Sequence, residues 1–81
     1  MQVETLFKEK EARLWVSYEI QEEVGRTSFY MWRRFLNLLD GPCTLSDLEA
    51  IAYFGYRVRA GETLETAKHR TIQHLRGNQD D

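Results

Sequence analysis

One cysteine, one proline and five scattered glycines leave this 81-residue chain short of what disulfide scaffolds, zinc sites and phosphate loops require. Cys43 alone forms no internal disulfide, and it offers one thiolate where a zinc ribbon or finger needs at least two. The glycines stand apart, at 25, 41, 55, 61 and 77, so neither a Gly-x-Gly-x-x-Gly turn nor a Gly-Lys-Ser/Thr phosphate loop is present, and no Asp-rich calcium loop occurs. No apolar run approaches the roughly 18 residues of a membrane span, and the opening Met-Gln-Val-Glu-Thr-Leu-Phe-Lys-Glu-Lys lacks the apolar centre of a secretory signal. These absences predict a protein of a reducing, cytoplasmic environment with no cofactor, no metal and no membrane partner.

What is there is enough for one small core. At 42% hydrophobic and 30% charged, with ten aromatic residues, the composition is that of a folded domain. At this length a second core is excluded, so residues 1–77 are expected to form one domain and residues 78–81 a frayed tail. The net charge of −2 is unevenly spread. Residues 1–25 hold three Lys or Arg against six Glu, a local charge of −3, whereas residues 50–77 hold five against two, a local charge of +3. Such a gradient suits a charged partner, although solvated faces also look like this.

Along the chain, Ala12, Leu14, Val16, Tyr18 and Ile20 alternate with Arg13, Ser17, Glu19 and Gln21, and only Trp15 breaks the period of two. Alternation of this kind predicts a half-buried strand over 12–21. Gln2–Phe7 is its expected partner across a turn at Lys8–Glu11, and a second turn at Val24–Thr27 leads to a possible short strand at Ser28–Met31. The rival is a helix, favoured by the Lys-Glu-Lys-Glu-Ala-Arg composition. From Trp32 the period is helical. A first helix is expected from near Phe29 to Leu39, stopped by Asp40-Gly41-Pro42, and a second follows from a Thr44 or Ser46 cap to Gly61. A third opens at Glu62-Thr63 and buries Leu64, Ala67, Thr71, Ile72 and Leu75. The expected fold class is α+β, an N-terminal antiparallel hairpin or small meander followed by three short helices. Its alternative is an all-α, four-helix domain. Tyr53–Arg59 also reads as a strand, since β-formers flank Gly55 there.

Two surfaces carry the functional expectations. Trp15, Tyr30, Trp32, Arg33 and Arg34 form an aromatic and arginine-rich set of the kind that dominates protein-binding hot spots, and they cannot all enter so small a core. The plainer alternative places Trp32 and Phe35 in the core, with Tyr30 flat on the surface. The second surface is a helix-turn-helix-like pair at residues 45–76, with Arg57, Arg59, Lys68, His69, Arg70, His74 and Arg76 facing nucleic acid. Against it stands the acidic charge of the whole chain.

Catalytic signals are thin. Cys43 precedes a helix start, where a thiolate can be stabilised, and His69 or His74 could serve as its base, but a small buried or idle cysteine is the better fit. The two histidines lie about 140° apart on a helix and so do not chelate one ion together. Glu22-Glu23 and Asp80-Asp81 are adjacent carboxylates in a turn and a tail, not an enclosed acid–base pair. The sequence thus predicts a non-enzymatic protein-interaction module, a small accessory factor such as an inhibitor or adaptor. Its partner is expected to be another protein or a second copy of itself in a homodimer, and a small DNA-binding regulator is the alternative.

Overall fold

A computed structural model describes residues 5–39 and 41–79 of the chain. Residues 2–4 of the expected first strand, Asp40 of the expected helix stop and the Asp80-Asp81 pair fall outside them. Among the described residues, two short strands and four helices follow in the order β1 (Leu6–Phe7), α1 (Glu9–Ile20), α2 (Arg26–Phe35), β2 (Cys43–Thr44), α3 (Leu45–Arg59) and α4 (Leu64–Gln79). The fold class is therefore α+β in a mostly helical form. β1 and β2 pair antiparallel, Leu6 opposite Thr44 and Phe7 opposite Cys43. Among the described residues no helix is long and apolar enough to cross a membrane.

The strand expected over residues 12–21 is a helix, and β1 finds its partner at β2 instead. On a helical wheel Ala12, Val16 and Ile20 fall within about 80° of one another, while Leu14 and Tyr18 point to the far side. Ala12 and Val16 are buried accordingly, and Leu14 and Tyr18 are exposed. The expected Lys8–Glu11 turn is the start of α1, where the Glu11 carboxylate accepts a hydrogen bond from the Lys8 N–H at 3.2 Å. Gln21 closes α1 in the left-handed region, with φ 58°. The loop that follows is tied back to the helix: the Ser17 hydroxyl donates to the Arg13 carbonyl at 2.8 Å and accepts from the Val24 N–H at 3.0 Å.

α2 begins one turn earlier than expected and takes in Ser28–Met31, which is helix and not strand. It ends at Phe35, with Asn37 left-handed at φ 60°. α3 lies where its caps predict, and α4 opens where expected but runs on to Gln79, so residues 78 and 79 of the expected tail are helix. Thr44 accepts from the Asp47 N–H, and the Asp47 carboxylate accepts from the Thr44 N–H, both at 3.1 Å, which fixes the start of α3. Gly61 turns the chain with φ 106°. Thr63 accepts from the Thr66 N–H at 3.2 Å and opens α4. Tyr53–Arg59 is helix throughout.

α3 is the central element, and α1, α2, α4 and β2 all pack on it. It supplies Leu48, Ile51, Ala52 and Phe54 to a core completed by Ala12, Val16, Val24, Phe29, Trp32, Cys43 and Ala67. Phe35 stacks on Phe54 with ring centroids 5.8 Å apart. Trp32 lies so close to α3 that only a glycine fits beneath it, at Gly55.

Candidate functional site

The contact between α3 and α4 decides what surface the molecule offers. Among the residues of α4 whose side chains are described, Ala67 and Thr71 are the buried ones, whereas Leu64 and Ile72, expected inside, are exposed; the Thr71 hydroxyl donates to the Ala67 carbonyl at 2.7 Å. Its larger residues splay to either flank. α4 therefore rides on α3 along a narrow stripe, and an open trough runs down each side of it.

One trough, a cavity of about 410 Å³, lies between α4 and the loop after α2 and is lined by Leu36, Leu38, Ala50, Ile72 and Leu75 with Lys68, Asp47 and Glu49 at its edges. The other, of about 330 Å³, lies between α1 and α4 on the surface of α3. Trp15 and Ile20 come to it from α1, Tyr53 and Tyr56 from α3, and His74 and Leu75 from α4. Through Ile20 and Tyr56 it runs on into a further hollow of about 270 Å³ beside Glu22 and Arg59. Glu19 and Glu49 stand on its rim, both exposed.

This second trough is the candidate site, because three of its walls are aromatic. Tyr56 is 60% exposed, and Trp15 and Tyr53 are half-buried. Tyr53 is held in place by two neighbours: His74 stacks on it at 4.3 Å with the rings 7° from parallel, and the Arg57 guanidinium lies 5.2 Å from its centroid. Rigid, part-exposed aromatic rings with acidic neighbours suit apolar and cationic groups together.

Of the aromatic and arginine set expected from the sequence, the structure brings only Trp15 to this site. Trp32 is 4% exposed and belongs to the core, which corrects its place on a contact surface. Arg33 is buried as well. Its Nε donates to the Leu38 carbonyl at 2.9 Å and its Nη2 to the Gly41 carbonyl at 2.8 Å, so it holds the loop after α2 and does not reach outward. Tyr30 and Arg34 are exposed on α2, away from the residues that line the trough. Glu19, Glu49, Tyr53 and Tyr56 were not singled out by sequence. Their signal was a surplus, since Tyr53 and Tyr56 flank Phe54 and Gly55, and one face of a helix cannot bury all four.

The cations of the helix-turn-helix reading are largely engaged within the fold. Arg57 Nη1 pairs with Glu62 at 2.9 Å and its Nη2 donates to the Tyr53 hydroxyl at 3.1 Å, bonds that raise its pKa further and hold it charged. Arg70 lies 3.4 Å from the same Glu62 carboxylate. Arg59 sits 5.5 Å over the Trp32 ring and 3.9 Å from Glu22, and Lys68 is 5.2 Å from the Phe35 centroid. His69 and Arg76 remain exposed on α4. Tyr53 of α3 stacks on His74 of α4, and Arg57 of α3 pairs with Glu62 in the turn between them, so these members of the expected DNA-facing set bind α3, the turn and α4 to one another.

Cys43 is buried in β2 under the core, and burial pushes its thiol pKa up, only partly opposed by the Arg33 charge and reinforced by Asp47. A raised pKa is the opposite of what a nucleophilic thiolate needs. Among the described residues no group of three or more His, Cys, Asp or Glu is placed to hold a metal ion. Compared with known proteins, the chain matches no family model, no curated protein and no solved structure.

Proposed function

We propose that the chain is a non-enzymatic protein-binding module whose docking site is the trough between α1 and α4, and that its partner is an amphipathic segment carrying Lys or Arg beside apolar residues. The observation that carries this reading is the pairing of rigid aromatic walls, Trp15, Tyr53 and Tyr56, with the exposed carboxylates Glu19 and Glu49 on one open groove. Apolar partner side chains would bury against the rings, and partner cations would meet the exposed Tyr56 ring and the rim carboxylates.

Trp15 is a built-in reporter, because the second tryptophan, Trp32, is already sequestered in the core. Titration of the chain with a helical Lys/Leu peptide should shift the Trp15 emission, and a Glu/Leu peptide of equal length should leave it unchanged. Tyr56→Ala and the pair Glu19→Lys with Glu49→Lys should each weaken binding by about tenfold or more, as expected for a hot-spot aromatic and for reversed rim charges. Equal response to both peptides, or binding indifferent to these substitutions, sinks the proposal.

Nucleic acid is the second reading. The exposed His69, Arg70, Gln73 and Arg76 on the solvent side of α4 favour it, and duplex DNA in the same titration tests it.

A further inference from the structure

Resting on that docking reading, we infer that the trough takes a second copy of this chain, through the outer face of α2. On the wheel Arg26, Tyr30 and Arg34 fall within about 80°, with Met31 about 60° further round. All four are exposed, Tyr30 at 50% and Met31 at 47%. α2 carries three arginines and no acidic residue over Arg26–Phe35. Arg33 is committed inside, but among the described residues Arg26 and Arg34 make no ion pair and no side-chain hydrogen bond. The outer face of α2 is thus a short cationic helix with two large apolar side chains, the chemistry that the acidic, aromatic trough is built to accept.

The two faces are complementary and lie on different elements, α2 on one side and α1 with α3 and α4 on the other. Tyr30 and Met31 of one copy would pack on Trp15 and Tyr56 of the next, with Arg26 and Arg34 meeting Glu19 and Glu49. Such a contact joins unlike surfaces, so it closes only if two copies engage reciprocally or several form a ring.

Charge reversal tests this without reliance on any one variant folding unchanged. The full-length chain should show concentration-dependent association by sedimentation velocity below about 1 mM, and raised salt should weaken it. Arg26→Glu with Arg34→Glu should abolish association, because both faces are then acidic. Glu19→Arg with Glu49→Arg should abolish it as well, because both are then basic. Mixing the two variants should restore assembly, since each offers a face complementary to the other's, and a misfolded variant could not restore it. A wild-type chain that stays monomeric to about 1 mM overturns the inference. So does association that survives either reversal, and so does a mixture that fails to assemble. In each of these cases the Lys/Leu peptide titration still decides the docking reading by itself.

Discussion

Gly55 lies within α3, where alanine would ordinarily improve a helix by about 1 kcal/mol. Here the ring of Trp32 occupies the space: a Cβ would come within 2.8 Å of two ring carbons and closer to a third. Overpacking of a filled core costs about 1–3 kcal/mol, and displacing an indole that also carries Arg59 on its face falls at the upper end of that range. Gly55→Ala should therefore lower unfolding free energy by about 2 kcal/mol in urea titration. The same change in a Trp32→Leu background should be neutral or stabilising, because the helix preference then acts unopposed. Additive effects of the two substitutions would show that the ring is not what glycine accommodates. The neighbouring residues explain how the sequence misleads. Trp32, Arg33 and Arg34 are consecutive, so on a helix they span about 200° and cannot form one face. Trp32 and Arg33 take the inner part of that arc and only Arg34 emerges.

At the scale of elements, helices fixed by their ends were the legible ones. Thr44 with Asp47 starts α3 and Gly61 follows its end, both chemically distinctive, and both boundaries are found where the sequence puts them. α1 was hidden because it buries so little. Its alternating apolar residues are two stripes on opposite sides of a helix, one in the core and one in solvent, and period two is what their sum looks like. The trough escaped for a related reason: it is made where three helices fail to cover each other, which no local pattern encodes. That incomplete cover has a dynamic consequence for α4. It packs chiefly on α3, through Ala67 and Thr71, with Lys68 lying over Phe35 of α2, Leu75 half-buried and Ile72 exposed. An element with so little buried apolar area opens below the global unfolding free energy. Native-state hydrogen exchange should show amides of residues 68–76 exchanging through a sub-global opening, while those of Ile51–Gly55 exchange only on global unfolding. Ala67→Glu should widen that gap by placing a charge in the one well-sealed contact. Equal protection across α3 and α4 would mean that the two helices unfold as a single unit with the core.

Over the whole molecule, charge separates protein docking from DNA binding. DNA affinity grows with the number of phosphates neutralised, each contributing counterion release, and it falls steeply with salt. This chain has a net charge of −2, and four of its seven candidate DNA-facing cations already serve the fold: Arg57 and Arg70 at Glu62, Arg59 at Trp32, and Lys68 at Phe35. Freeing them for phosphate would break contacts that tie α3 and α4 to the turn between them and to α2. His69, His74 and Arg76 are left, and His74 is stacked on Tyr53. One arginine and two histidines, one of them stacked, offer few phosphate contacts, so the remaining affinity should be too small to survive moderate salt. The chain should pass through a duplex-DNA column at about 100 mM salt, and Arg70→Ala with Arg76→Ala should not alter its elution. Retention that those two substitutions remove would move the working surface to the outer side of α4. The acidic trough would then be a feature of solvation, repelling the same phosphates that α4 attracts.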